Sequence, residues 1–135
     1  MAIALSFTVS DVMPASKESV YGAWLSSEKH SKMTNAEMAV ASIVVGDLFT
    51  AYDGYISGKN VDLVPCTKII QTWRTTDFSD EEEDSMIQIT LRDDGPGKTV
   101  FTLVHSNLPS DGKKYEEGWK THYFLPMKAY FKSNP

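Results

Sequence analysis

The period of the hydrophobic positions changes several times along the chain, and each change predicts a new element. Apolar and polar residues alternate over residues 5–9, which is the two-residue period of a strand. Apolar residues then recur at helical spacing, which predicts a helix over residues 15–25. Ser26 or Ser27 can cap a short second helix that runs toward Met33. The chain is therefore expected to start with one strand and two short helices.

Turn signals divide the middle of the chain into further strands. Gly46-Asp47, Asp53-Gly54 and the segment 93–97 combine residue types that accept positive backbone φ angles. Pro65 ends a strand because it has no N–H to donate to a ladder. The segments between these signals predict six more strands, at residues 38–45, 48–52, 55–64, 67–74, 85–92 and 98–106.

The last part of the chain returns to a helical period. Ser110 or Asp111 can cap this helix, and Pro126 should remove one of its backbone hydrogen bonds and bend it. Its apolar stripe consists of Tyr115, Trp119, Tyr123, Met127 and Tyr130. The element order predicts an α+β domain, in which a curved antiparallel sheet of six or seven strands packs around a long C-terminal helix.

Composition and charge exclude several classes of function. The 135 residues fit one domain, and no stretch approaches the ~20 apolar residues of a membrane helix. The N-terminus lacks the basic region of a signal peptide. Cys66 is the only cysteine, so no internal disulfide can form, and we expect a cytoplasmic protein. The net charge of -5 arises in the acidic run at residues 80–84, because the other 13 acids balance the 13 Lys and Arg; this argues against nucleic-acid binding.

Short motifs from residue 53 onward carry a resemblance to a known family. They are Asp53-Gly-Tyr-Ile-Ser-Gly58, Asp62-Leu-Val-Pro65, Ile69-Ile-Gln-Thr-Trp-Arg74, Val104-His-Ser106, Leu108-Pro109 and Glu117-Gly-Trp-Lys120 with Tyr123. In this order they resemble the activator of heat-shock protein 90 ATPase homologue family, within the START-like, birch-pollen-allergen-like superfamily (SRPBCC). The resemblance covers nearly the whole chain, and its Trp-Arg and Gly-Trp pairs are fairly specific.

The resemblance implies a helix-grip fold with a deep hydrophobic cavity between the sheet and the C-terminal helix. It also implies either small-ligand binding or a chaperone-associated role in the stress response. In two-domain co-chaperones of the family this unit follows an N-terminal domain that is important for stimulating the ATPase. Here the first predicted strand begins almost at Met1, so we expect a single START-like domain over residues 1–135.

Inward-facing strand positions and the helix stripe define a candidate ligand-binding set. Gln71 needs a partner for its amide on an inward face, and a ligand or trapped water could supply it. His105 could bond a polar ligand group, or could simply be bonded to backbone or water. Arg74 faces the other side of the sheet, where Asp77 is a possible partner. The expected cavity lining is Trp24, Phe49, Ile69, Gln71, Trp73, Ile87, Ile89, Phe101, Leu103, His105, Trp119, Tyr123 and Met127.

Three hypotheses of function follow. The first is non-enzymatic binding of a small, largely apolar molecule in the cavity. The second is a co-chaperone-like protein that associates with a heat-shock chaperone ATPase, with the acidic run either a docking site for a basic partner or simply a solvated loop. The third is a cavity enzyme with His105 as general base. No catalytic or metal-binding motif is present, so we expect no cofactor and no metal. The oligomeric state is left open.

Overall fold

A computed structural model describes residues 5–35 and 38–135, and in it six strands form one antiparallel sheet beside a long C-terminal helix. The strands are β1 (Leu5–Met13), β2 (Leu48–Ala51), β3 (Ile56–Val64), β4 (Lys68–Thr75), β5 (Ser85–Asp93) and β6 (Thr99–Leu108). They lie in the order β1-β6-β5-β4-β3-β2. The predicted α+β helix-grip class is confirmed, because the helix packs on one face of this sheet.

Each of the two short helices begins after a serine cap, and the Ser26 cap of the second is one of the two that the sequence indicates. In α1 (Lys17–Trp24) the Ser16 side chain accepts a hydrogen bond from the Ser19 N–H. In α2 (Ser27–Thr34) the Ser26 side chain accepts one from the Lys29 N–H. Each cap satisfies an N–H that would otherwise have no helical partner. Both predicted helices are confirmed.

Strand pairing places the inward residues of the sheet in rows. One row runs from Ile69 to Ile89 and Leu103, and the next runs from Gln71 through Ile87 to His105. These six side chains are buried. At Gly58 in β3 an added Cβ would lie 1.9 Å from the Thr72 carbonyl oxygen, so only glycine fits this close approach of strands.

The strand predicted over residues 38–45 is wrong. Only Val40 makes a bridge, to Thr50 of β2, while Ile43 is 74% exposed. The segment folds as an irregular loop because two of its carbonyl groups accept hydrogen bonds from a side chain and not from a neighbouring strand. The Asn60 side-chain amide donates to the carbonyls of Ser42 and Val44, at 2.8 and 3.0 Å.

The C-terminal helix has three parts: α3 (Lys114–Trp119), a π-helical turn (Lys120–Phe124) and α4 (Leu125–Ser133). The predicted caps at Ser110 and Asp111 are wrong. The helix begins at Lys114 without a side-chain cap, because residues 109–115 first form tight turns through backbone hydrogen bonds. Among the described residues, no helix is long and apolar enough to cross a membrane.

Candidate functional site: an aromatic groove beside the C-terminal helix

An open groove of about 550 Å³ lies between the C-terminal helix and the end of the sheet. One wall is the helix from Lys114 to Tyr123, and the other is formed by β4, the start of β3 and the turn before it. The volume is within the range of small-molecule sites. The groove is lined by Tyr52, Tyr55, Ile56, Trp73, Asp77, Lys114, Tyr115, Gly118, Trp119, His122 and Tyr123.

Aromatic rings packed against one another form the floor of the groove. The Trp73 ring lies 4.9 Å from the Tyr115 ring and 5.6 Å from the Trp119 ring, measured between centroids. The Trp119 ring in turn lies 4.8 Å from the Tyr123 ring, again between centroids. Such contacts add to the free energy of burial and hold each ring in one orientation. The floor is therefore apolar and preformed.

Gly118 leaves a free space on the helical wall of this groove. An added Cβ there would meet no heavy atom within 4 Å. A Cβ at this position would therefore fit without displacing its neighbours. The sequence contains Gly118 within a helical segment, but its periodicity alone does not indicate this role.

Tyr52, which lines the groove, is bonded to the C-terminal helix close to Pro126. In a regular α-helix the carbonyl of His122 would accept from the N–H of residue 126, which Pro126 lacks. The Tyr52 hydroxyl donates to this carbonyl instead. Tyr52 reaches it from a turn in which it has a φ of 50°, an uncommon angle for a bulky residue. The predicted hydrogen-bond loss at Pro126 is thus compensated from another element.

Charged and polar groups are confined to the rim. The Tyr55 hydroxyl donates to the Asp77 carboxylate at 2.6 Å, and the Lys114 ammonium lies 3.4 Å from the same carboxylate. The hydrogen bond from Tyr55 lowers the pKa of Asp77. Burial, together with its bond to Asp77, raises the pKa of Tyr55 to about 12. The rim therefore carries a fixed carboxylate and a neutral phenol near neutral pH.

The thirteen residues expected to line a cavity separate into two groups. Trp73, Trp119 and Tyr123 line the groove. The other ten lie in the packed core: Trp24, Phe49, Ile69, Gln71, Ile87, Ile89, Phe101, Leu103, His105 and Met127. A role of any of them in binding a ligand remains a prediction. Sequence reasoning missed the other lining residues, because Tyr52, Tyr55 and His122 belong to turns and helix edges that periodicity does not place.

Gln71 finds its partners within the protein. Its side-chain oxygen accepts from the Trp24 indole N–H at 3.1 Å, and its amide donates to Asn60 at 2.8 Å. Because the Asn60 amide then donates to the loop carbonyls described above, the network joins α1, the sheet and the 38–47 loop. This amide therefore needs no ligand or water to satisfy it.

Two buried histidines are held by hydrogen bonds at both ring nitrogens. His105 Nδ1 accepts from the Trp119 indole at 3.0 Å, so the proton is on Nε2, which lies 2.7 Å from the Ser85 hydroxyl. His30 bonds the Trp24 carbonyl and the Tyr123 hydroxyl, at 2.8 and 2.9 Å. The expected backbone or water partners of His105 are thus replaced by side chains. Neither nitrogen of His105 is free to accept a proton from a substrate.

Burial controls the ionisation of both rings. It lowers the pKa of His105 to about 3. It lowers the pKa of His30 to about 4, although the bond to the Trp24 carbonyl acts in the opposite direction. Both imidazoles are therefore neutral at neutral pH. His122 is exposed and lines the groove.

The acidic run folds around Arg74 rather than extending freely. The Arg74 guanidinium donates to the Asp84 carboxylate at 2.8 Å and to the carbonyls of Ser79 and Glu82. The expected pair with Asp77 is wrong, because Asp77 points to the groove rim and bonds Tyr55 and Lys114. In the described part of the chain, no three His, Cys, Asp or Glu side chains come together as a metal site.

The sequence is similar to a known protein family and to several of its members. The family model described as activator of Hsp90 ATPase homolog 1-like protein matches residues 14–132. The activator of 90 kDa heat shock protein ATPase homolog of Dictyostelium discoideum is 39% identical over 87 residues, 64% of this chain and 22% of that protein. Homolog 1 of Homo sapiens is 29% identical over 126 residues, 92% of this chain and 36% of that protein. The chain thus spans 22 to 36% of the length of these curated relatives.

Solved structures share the fold. An HSP90 activator from Plasmodium falciparum superposes with a TM-score of 0.85 at 18% identity, covering 94% of this chain and 96% of that one. The Aha1 dimer from Colwellia psychrerythraea gives 0.74 at 17% identity, covering 92% and 93%. At these identities the likeness concerns the fold. Because the family model matches most of the sequence, the chain belongs to the activator of Hsp90 ATPase homolog 1-like protein family.

Proposed function

We propose that this protein associates with an Hsp90-type chaperone ATPase as a co-chaperone-like protein in the cytosol. The observation that carries the proposal is the family match over residues 14–132, together with relatives named as activators of that ATPase. The acidic loop supplies a candidate contact. Arg74 and Asp84 fix its shape, so its outer carboxylates are presented in a defined arrangement to a basic surface.

The test is co-precipitation with the Hsp90-type chaperone of the same cells, together with the ATPase rate of the purified chaperone. Neutralising only the exposed acids of the loop leaves Arg74 and Asp84 in place: Asp80→Asn, Glu81→Gln and Glu83→Gln. The matched control removes three exposed acids elsewhere: Glu18→Gln, Asp94→Asn and Glu117→Gln. Association should fall in the loop variant and persist in the control. Absence of association in the unmodified protein would refute the proposal.

The second candidate function is binding of a small, largely apolar molecule, and the aromatic groove favours it. Its floor is preformed and apolar, and its polar groups are few and lie at the rim. The ligand in this proposal lies against Trp73, Trp119 and Tyr123. This function is compatible with chaperone association, because the groove and the acidic loop use different residues.

Two glycine substitutions provide a matched test of the groove. Gly118→Leu places a side chain in the groove, whereas Gly22→Leu places one on the exposed side of α1, where an added Cβ also meets nothing within 4 Å. Because leucine has a higher helix propensity than glycine, each substitution should stabilise its helix by roughly 1 kcal/mol. Native mass spectrometry of protein purified from its own cells should show a bound compound in the Gly22 variant and not in the Gly118 variant. The absence of a bound compound from all three proteins, or the same bound compound in both variants, would contradict the proposal.

A further inference from the structure

Aromatic side chains make up most of the groove lining. Six of its lining side chains are Tyr or Trp: Tyr52, Tyr55, Trp73, Tyr115, Trp119 and Tyr123. The face of an aromatic ring carries a negative quadrupole, and it attracts cations and repels anions. An apolar compound gains contact area from such a wall, but only a cation gains electrostatic energy from it. The lining therefore distinguishes ligands by charge.

One cation already uses this wall. The Lys114 ammonium lies 5.2 Å from the centroid of the Tyr115 ring. It also lies 3.4 Å from the carboxylates of Asp77 and Asp111. The position thus combines an aromatic face with two carboxylates, which is the environment of an organic cation site.

Lys114 can leave this position. Its side chain is 46% exposed, and its ammonium group is carried by a flexible chain of four carbons. When it turns into solvent, the Tyr115 face and the Asp77 carboxylate remain at the rim of the groove without a cation, and the Asp111 carboxylate lies nearby. A ligand cation arriving there would replace Lys114, whereas an anion would meet two like charges.

We propose that the groove binds an organic ammonium compound whose apolar body lies on the aromatic floor, and that the Lys114 ammonium occupies the place of its charged group in the unbound protein. The inference rests on the ligand-binding function proposed above and specifies the ligand class. Lys114 acts as an internal competitor, so ligand affinity depends on how readily this side chain is displaced.

The experiment uses three probes with a head of the same size: choline, its uncharged isostere 3,3-dimethylbutan-1-ol, and the anion 3,3-dimethylbutyrate, in which a carboxylate replaces the hydroxymethyl end. Each is titrated into the full chain, and binding is followed by the NMR signals of the indole N–H groups. Trp73 and Trp119 line the groove and should report binding, whereas Trp24 does not line it. Choline should bind roughly ten-fold more tightly than the uncharged isostere, and the anion more weakly than either.

Variants test the competing lysine. Lys114→Met keeps the stem and removes the charge, so it should raise the ratio of choline affinity to isostere affinity several-fold. Asp77→Asn should weaken choline alone. Lys113→Met is the control, because Lys113 pairs with Glu116 and does not line the groove. If choline and the isostere bind equally, the groove binds ligands but this inference is wrong; if no probe moves the Trp73 or Trp119 signals, the groove proposal fails with it.

Discussion

Replacing Tyr52 with Phe tests whether a side chain compensates for the hydrogen bond that Pro126 removes from the C-terminal helix. The substitution deletes the hydroxyl that donates to the His122 carbonyl and leaves the ring in place. A buried carbonyl without a donor costs roughly 1–3 kcal/mol. Tyr52 is half-buried and His122 is exposed, so water can partly replace the donor. We therefore expect a loss of about 1 kcal/mol in the free energy of unfolding.

Pro126→Ala provides the second arm of a double-mutant cycle. Alanine restores an N–H at position 126 that can donate to the His122 carbonyl in the normal α-helical manner. In this background the loss caused by Tyr52→Phe should fall to near zero, giving a coupling energy of about 1 kcal/mol. Urea unfolding at neutral pH, fitted with a common slope for all four proteins, measures each term.

Tyr55→Phe is the control for this cycle. It also deletes a phenol hydroxyl at the groove, but that hydroxyl donates to Asp77 and has no contact with the helix carbonyl. Its cost should be the same whether position 126 carries proline or alanine. An equal cost of Tyr52→Phe in both backgrounds would refute the reasoning, because the helix carbonyl would then not depend on Tyr52.

Three further predictions concern the buried polar groups and the acidic loop. Burial lowers the pKa of His30 to about 4 and that of His105 to about 3 in the folded protein. In the unfolded chain each histidine has the ordinary pKa of ~6.5. Below pH ~6.5 the unfolded chain therefore binds more protons than the folded protein, and acid favours unfolding. Stability should fall from pH 6.5 to 5 by up to about 1.4 kcal/mol per pH unit for each histidine; a flat urea midpoint over this window would contradict it. Trp119→Phe leaves His105 Nδ1 without its donor and should cost roughly 1–3 kcal/mol in urea unfolding, and a cost below about 0.5 kcal/mol would contradict that role. Arg74→Ala should speed hydrogen exchange and proteolysis in the loop around Glu82 with a smaller change in global stability, and unchanged exchange there would show that Arg74 does not hold the loop.

The order of strands and helices could be predicted because each type of element has its own period of hydrophobic residues. Alternation in β4 to β6 and the four-residue spacing of the C-terminal stripe are strong local signals, and the structure follows them. The failure at residues 38–45 has a tertiary cause. The carbonyls of Ser42 and Val44 are satisfied by Asn60, which is distant in sequence, so an apolar run with strand propensity forms a loop.

The candidate site was predictable only in part. Trp73, Trp119 and Tyr123 are on faces that periodicity assigns correctly, and they reach the groove. Most other inward residues fill the core, because sequence pattern distinguishes inside from outside but not a packed interior from an open one. Gln71 and His105 show the same limit: a buried polar group needs a partner, but only the pairing of strands and helix reveals that the partners are Asn60, Trp24, Ser85 and Trp119.

The contact of all three tryptophans in one cluster has an optical consequence. The Trp119 ring lies 6.3 Å from Trp24 and 5.6 Å from Trp73, and no other tryptophan occurs in the sequence. Excitation energy passes readily between rings this close, so the emission of the protein reports on the cluster rather than on one ring. Trp73 and Trp119 face the groove, and therefore an event at the groove alters the emission and the exciton circular dichroism of the whole cluster, including light absorbed by Trp24 on α1.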